Sequence, residues 1–313
     1  MGRHHLRVLG HLEGVELVGI FDPAFIGISD VSGIPVHASL KSLLSAGIDY
    51  CVLAAPTSLH HELGLQLAQS GIHTLIEKPV ATTEQQAVDL ARAFSQRDLI
   101  GGVGHIERFN PAIQSMRLKI AEGLLGDLYQ IATRRQGPRP ERVSDVGVIK
   151  DLATHDIDLT MWISQRTYTS VKGHTYRQRD GQYEDMLVVA GVLQDDVIVS
   201  HLVNWLSPYK ERCTTVIGER GALVADTLTA DLTYFENGNL PSSWDGVSWI
   251  RGGSEGNITR FALTKTEPLL VEHRAFRDAI VNKDESEIVT LQQGCSVVKV
   301  AEQIAESCYQ RTR

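Results

Sequence analysis

The sequence predicts an α/β protein of two domains: a parallel-sheet domain, then an α/β domain whose sheet is mostly antiparallel. Three observations carry this. Strand-length apolar runs alternate with helix-length segments from Glu16 to His105, the rhythm of right-handed βαβ units and a parallel sheet. After Thr167 short strands follow one another, separated by turn residues such as Gln194-Asp195-Asp196 and Gly218-Glu219-Arg220-Gly221, which suits antiparallel pairing. The 313 residues are enough for two cores of ordinary size.

Taken in order, residues 1–12 are helical in pattern, with Leu6 and Leu9 apolar and Gly10 and Gly14 near the end. Residues 16–21 (Glu-Leu-Val-Gly-Ile-Phe) read as a strand closed by Asp22-Pro23. A short helix is expected over 40–46 and a buried strand over 50–54, ending in Ala55-Pro56-Thr57-Ser58. Ser58 is placed to cap a helix over 59–70 that Gly71 stops. The run His73-Thr74-Leu75-Ile76-Glu77-Lys78-Pro79 reads as a buried parallel strand with polar residues at its carboxyl end. Thr83 should cap a helix over 83–97, and a strand follows over 100–105.

Beyond His105 the pattern gives a helix over 111–122, a strand over 128–135, a Pro/Arg loop over 137–145 and a helix over 151–163. Strands are expected over 171–176, 186–193, 197–205, 213–217, 223–226 and 232–235. Residues 237–264 are Gly/Ser-rich with little periodicity, and helices over 267–281 and 291–309 close the chain. The expected domains are 1–108 and 109–313, with the closing helices free to return to the first.

Composition narrows the functional classes. With 42% hydrophobic and 22% charged residues, the chain has an ordinary globular balance. A net charge of -8 and a pI near 5.8 argue against a nucleic-acid surface, which needs a basic patch. The densest basic group, Arg134, Arg135, Arg139 and Arg142, is interleaved with prolines. Cys51, Cys213, Cys295 and Cys308 form no C-x-x-C pair and suit free thiols in a reducing compartment. No apolar run reaches membrane length and no signal segment opens the chain, so a cytoplasmic protein without a membrane partner is expected.

Three stretches can carry chemistry. Pro79 cannot donate to a sheet ladder, so it ends its strand and aims Glu77 and Lys78 from the sheet edge where α/β proteins bind ligands. The same residues also fit an ordinary exposed pair on a strand-helix turn. In Asp151-Leu-Ala-Thr-His155-Asp156-Ile-Asp158, Asp151 and His155 lie four apart, on one face of a helix. A carboxylate beside an imidazole raises its basicity and suits it to act as a general base, although such pairs are also common as plain surface pairs. Glu107-Arg108-Phe109-Asn110-Pro111 follows the last parallel strand, where Arg108 could bind sugar or phosphate oxygens or form a salt bridge at the helix start. Asp22, at a second-strand end, suits the hydroxyls of a dinucleotide ribose and repels a 2′-phosphate; it equally suits a turn before proline. His4-His5 and His60-His61 lack the spacing and companions of a metal site, and no metal is expected.

Together these stretches resemble the glucose-fructose oxidoreductase / inositol dehydrogenase (Gfo/Idh/MocA) family. The resemblance runs through Pro56-Thr57-Ser58-Leu59-His60, Glu77-Lys78-Pro79, Arg108-Phe109-Asn110-Pro111 and Asp151-x3-His155-Asp156-Ile-Asp158, in that order. Residues 104–111 look most like members that act as UDP-N-acetylglucosamine 3-dehydrogenases. The resemblance implies an N-terminal Rossmann domain and a C-terminal domain whose open sheet packs on another subunit, in a homodimer or homotetramer. It implies NAD rather than NADP, with Asp22 on the adenosine ribose and Gly2, Arg3, Pro56, Thr57 and His60 lining the cofactor site. Glu77 would bind the nicotinamide ribose, and Lys78 would sit beside the reacting carbinol. Asp151 and His155 would complete the site, with His155 as base and Arg108 and Asn110 on the substrate.

The implied reaction is oxidation of a secondary sugar hydroxyl, most closely that of a nucleotide-linked N-acetyl hexosamine at C3. Oxidation of inositol or a free sugar is the alternative, as is a non-catalytic ligand sensor. The family opens with a strand and a glycine-rich turn, and Met1-Gly2-Arg3-His4-His5 aligns with the end of that turn, so the first strand is missing from the expected sheet. A start some 15 to 25 residues upstream, and poor NAD binding by the 313-residue form, are therefore expected.

Overall fold

The computed structural model describes residues 1–140, 146–178, 182–238 and 255–309. They form two compact units, one of Met1–Ile106 with Leu269–Lys299 and one of Glu107–Pro268 with Val300–Arg313.

In the first unit, α1 (Gly2–Leu9) precedes a two-stranded antiparallel ribbon, β1 (Asp30–Val31) with β2 (Ile34–Pro35). Helix α2 (Leu40–Leu44) starts at Ser39, whose hydroxyl accepts from the Ser42 N–H at 3.1 Å. Strands β3 (Tyr50–Leu53), β4 (His73–Glu77) and β5 (Gly101–Gly104) then form a parallel sheet in that order. Helices α3 (Thr57–Gln69) and α4 (Glu84–Ser95) are the crossovers. Thr83 caps α4 as expected, accepting from the Gln86 N–H at 3.3 Å.

Two expectations need correction. Ser58 caps nothing, because α3 begins one residue earlier, with Pro56 at the N-cap position. Residues 16–21 do not form a strand. Only Ile20 pairs, in a single parallel bridge to Val36. Its N–H donates to the Pro35 carbonyl at 2.9 Å and its carbonyl accepts from the His37 N–H at 2.8 Å. A strand is a ladder rather than a property of one segment, and among the described residues no neighbour continues the pairing.

Strand β5 is short of side chains for a packing reason. A Cβ on Gly102 would stand 3.0 Å from the Phe276 ring, carried on α7 (Pro268–Asn282). Phe276 is fully buried there with Leu75, Ile100, Ala279 and Ile288. Helix α8 (Leu291–Tyr309) follows.

The second unit is built on eight strands in the order β13-β12-β11-β10-β6-β9-β8-β7. In chain order they are β6 (Leu128–Pro138), β7 (Tyr168–Tyr176), β8 (Met186–Leu193), β9 (Ile198–Asn204), β10 (Leu206–Gly218), β11 (Gly221–Asp226), β12 (Asp231–Asn237) and β13 (Glu255–Arg260). Only β6 with β9 is parallel; every other pair is antiparallel. Strand β13 falls in the stretch that periodicity left irregular. Helices α5 (Pro111–Ala121) and α6 (Thr154–Ser164) cover one face, burying Ile113, Met116, Leu159 and Ile163 against Ile131, Val199, Val216 and Leu223.

A neutral histidine sits inside this unit. His201 is 1% exposed, with Nδ1 2.7 Å from the Thr133 hydroxyl and Nε2 2.7 Å from the Tyr168 hydroxyl. A hydroxyl can donate or accept, so both ring nitrogens are satisfied without a charge. Burial pushes the imidazole down to about 3. The unfolded chain therefore takes up a proton near pH 6.5 that the folded chain refuses until about pH 3, and the stability this histidine supplies is lost as pH falls through that window. Urea unfolding of the parent and of His201→Leu between pH 7 and pH 4 should show a shallower pH slope in the variant; parallel slopes would rule out a neutral buried His201.

Candidate active site

In the first unit Glu77, Lys78, His5 and His60 gather where β4 ends. Glu77 is paired in register with Gly104 of β5, and a Cβ at position 104 would lie 3.2 Å from the Glu77 carboxyl carbon. Glycine there lets the carboxyl group lie against the neighbouring strand. The carboxylate is buried, yet it stays ionised. Burial alone would raise it, but the hydrogen bond donated by His5, with the charge and backbone N–H of Lys78, holds it below its ordinary value. His5 Nε2 donates to Oε1 at 2.8 Å, and the Lys78 N–H donates to Oε2 at 3.1 Å. On the other side of the His5 ring, Nδ1 lies 2.8 Å from Nε2 of His273 on α7.

His60 holds the turns around this edge. Its Nδ1 lies 3.0 Å from the Pro79 carbonyl and its Nε2 2.9 Å from the Ala55 carbonyl. Burial pulls the imidazole below its ordinary value while the two carbonyls and Glu77 pull upward. The ring thus clips the turn after β3 to the turn after β4. Lys78 and Thr57 are half-buried, and Pro56, Gly2, Arg3 and Asp22 are exposed. Asp22 caps a 3-10 turn, accepting from the Ala24 N–H at 2.8 Å. The histidine doublets diverge: His5 and His60 are buried, His4 is exposed and His61 half-exposed.

In the second unit, the expected single helix over 151–163 is a π-helical turn (Ile149–Ala153) running into α6. A π turn closes i→i+5 hydrogen bonds and is frequent at functional sites. Asp151 lies in that turn and His155 in the first turn of α6, both half-buried. Asp156 and Asp158, from the same motif, are fully buried and meet arginines. Arg108 donates through Nε and Nη2 to the two oxygens of Asp158, at 2.8 and 2.6 Å. Arg135 donates through Nε to Asp156 at 3.1 Å and through Nη1 to Glu107 at 2.8 Å. Burial would lower the Arg135 guanidinium, but Asp156 and Glu107 hold it above its ordinary value.

These contacts revise the expected substrate residues. Arg108 closes its bidentate fork on Asp158, and Arg135 is enclosed by carboxylates. Asn110 is spent at both ends, accepting from the Ala112 N–H at 3.0 Å as the cap of α5 and donating to the Thr227 carbonyl at 3.0 Å. Arg134 and Arg135 stand on β6 as expected; Arg134 is exposed beside Glu211, and Arg139 pairs with Asp185. Arg142 lies outside the described residues. His5 and His273 are the members that sequence reasoning missed.

A family model described as an oxidoreductase family with an NAD-binding Rossmann fold matches residues 1–105. A second, the GFO/IDH/MocA C-terminal domain, matches 113–224. The chain belongs to the Gfo/Idh/MocA family. Among relatives, UDP-N-acetylglucosamine 3-dehydrogenase of Acidithiobacillus ferrooxidans is 31% identical over 167 residues, covering 52% of this chain and 51% of that protein. The NADP-dependent scyllo-inositol 2-dehydrogenase of Bacillus subtilis is 23% identical over 292 residues, covering 87% and 80%. The matches to the first relatives span about half of those proteins' length. Among solved structures, that of the Acidithiobacillus ferrooxidans enzyme aligns over 98% of this chain and 94% of its own, with a TM-score of 0.84 at 23% identity. At that identity the likeness is one of fold, and it places this Gfo/Idh/MocA chain in the two-domain α/β architecture.

Removing one partner of a buried ion pair strands the other charge. Arg135→Ala should therefore cost about 3–5 kcal/mol of unfolding free energy, against about 0–1 kcal/mol for Arg134→Ala, whose ion pair is exposed. Equal midpoints in denaturant titrations of the two variants would contradict the assignment of Arg135 to the fold.

Proposed function

We propose that this chain is an NAD-dependent dehydrogenase that oxidises a secondary hydroxyl of a sugar, with a nucleotide-linked N-acetyl hexosamine oxidised at C3 as the first substrate to test. The observation that supports it most is Glu77: an ionised carboxylate, held by His5, at the carboxyl edge of the parallel sheet and directly followed by a half-buried lysine. That edge is where α/β sheets take their ligands.

The residues present fit NAD at two points. Glu77 offers carboxylate lone pairs to the nicotinamide ribose, and the exposed Asp22 offers the same to the adenosine ribose, where a 2′-phosphate would add like charge. Gly2, Arg3, Pro56 and Thr57 complete the proposed cofactor contacts, while His60 acts through the turns it clips together. NAD, when bound, accepts the carbinol hydride. His155, with Asp151 four positions before it on the same helical run, takes the hydroxyl proton. The Lys78 ammonium stabilises the negative charge that develops on the carbinol oxygen, an interaction stronger in the transition state than in the ground state.

Lys78→Ala and His155→Ala should each lower kcat for NADH formation by about a hundredfold or more, by analogy with other lost general acid/base groups and charge stabilisers. Thermal-shift titration with UDP-N-acetylglucosamine and with myo-inositol ranks the substrates, and a shift with inositol alone would put the cyclitol first. Full turnover in both variants would sink the catalytic assignment. NAD binding without turnover on any sugar would favour a ligand sensor.

A second copy of the chain is the proposed partner. The face of the eight-stranded sheet opposite α5 and α6 carries a cross-strand row of Val192, Ile198, Gln130, Ile217, Ala222, Phe235 and Ile258, in register from β8 to β13 and apolar at every position but Gln130 of β6. Ile198, Phe235 and Ile258 are 49%, 40% and 64% exposed, and an apolar band of this breadth marks an interaction surface. Light scattering should give a dimer or tetramer, and Ile198→Asp with Ile217→Asp should give a monomer of unchanged circular dichroism. A monomeric parent at micromolar concentration would refute this.

A further inference from the structure

His5, His273 and Glu77 form a line of hydrogen bonds buried within the first unit. His5 is 2% and His273 1% exposed. Its direction follows from donor counting. An ionised Glu77 only accepts, so the hydrogen in the 2.8 Å contact stands on His5 Nε2. A neutral His5 then has a bare Nδ1, and the hydrogen in the next contact, also 2.8 Å, stands on His273 Nε2. His273 Nδ1 is left as a lone pair, and it has no hydrogen-bond partner among the described residues. Run the other way, the chain would end in a buried N–H without an acceptor, and it would put a charge on His5. Burial pushes the His273 imidazole down to about 4, consistent with a neutral ring at that end.

We infer that His273 and His5 are positioning residues that fix Glu77 as an oriented, ionised acceptor for the vicinal hydroxyls of a ribose. His273 sets the His5 tautomer, and that tautomer sets which face His5 turns to the carboxylate. If His5 carried its proton on Nδ1, a bare Nε2 would face the carboxylate and push it from its place beside Gly104. Neither histidine needs to touch the cofactor. This rests on the proposed dinucleotide binding and adds to it two residues far apart in sequence.

Glutamine and leucine distinguish positioning from packing, because only glutamine carries an amide N–H where the imidazole has Nε2. His5→Leu and His273→Leu should weaken NAD binding by about tenfold to a hundredfold, the loss expected of one hydrogen bond to a charged group. His5→Gln and His273→Gln should stay within about threefold of the parent chain, with KM for the sugar little changed in all four. NAD affinity is read by calorimetry, with thermal unfolding as the check on folding. If one leucine variant fails to fold, the pair at the other histidine makes the same comparison. Nitrogen-15 NMR of the ring nitrogens, which needs no NAD, should show both histidines protonated at Nε2. Equal affinities for the glutamine and leucine variants, or an Nδ1-protonated His5, would overturn the proposal. If the parent chain binds no NAD while the rings show the expected tautomers, the dinucleotide reading fails and takes the ribose role with it; the hydrogen-bonded line itself would stand.

Discussion

A charge taken out of water has to be met, and in this chain that requirement organises both units. A buried carboxylate facing only carbon costs several kcal/mol even after relaxation. Glu77, Asp156 and Asp158 are among the buried acids that avoid that cost. Glu77 is met by His5, Asp156 by Arg135 and Asp158 by Arg108. Such pairs repay little more than their own desolvation, so their contribution lies in geometry rather than net stability. Each pair is a statement about which two segments lie together. Arg108 to Asp158 joins the entry of α5 to α6, and Arg135 to Asp156 joins α6 to β6. Once those are satisfied, the helical run that carries Asp151 and His155 has little freedom to rotate.

The same logic sorts the polar residues of one motif. The motif Asp151-x3-His155-Asp156-Ile-Asp158 holds three carboxylates and one imidazole. Two carboxylates are buried against arginines, while Asp151 and His155 remain half-buried. The π turn has a physical part in this, since its i→i+5 bonding shifts residues before Thr154 relative to the α-helical frame that follows. Half the motif therefore anchors the helix, and the other half stays half-buried.

Sequence reading succeeded where information is local. The parallel strand ending in Glu77, Thr83 as cap, the helix start at Pro111 and most antiparallel strands follow from periodicity, capping and turn residues within a few positions. It failed where the deciding partner is distant. Nothing near Arg108 says that its fork closes on Asp158, fifty positions on. The apolar run 16–21 has strand composition, yet a strand needs a ladder that those residues cannot supply themselves. Strand β13 shows the converse, an unpromising segment recruited by β12 at the sheet edge. The His4-His5 doublet was visible but posed only a metal question, because His273, 268 positions away, gave no local sign of pairing with it.

Glycine matters to the site through what it lacks. β5 reads Gly101-Gly102-Val103-Gly104, poor in the β-branched residues that strands favour. Its composition is dictated by neighbours: Phe276 occupies the space a side chain at Gly102 would need, and the Glu77 carboxyl that at Gly104. A strand with weak intrinsic propensity is held by pairing with β4 and by the aromatic ring packed on it. That arrangement lets a long acidic side chain fold back along the sheet to reach His5 instead of extending into water. The carboxylate at the sheet edge is thus a joint product of a missing Cβ on one strand, a histidine on the first helix and a second histidine near the far end of the chain.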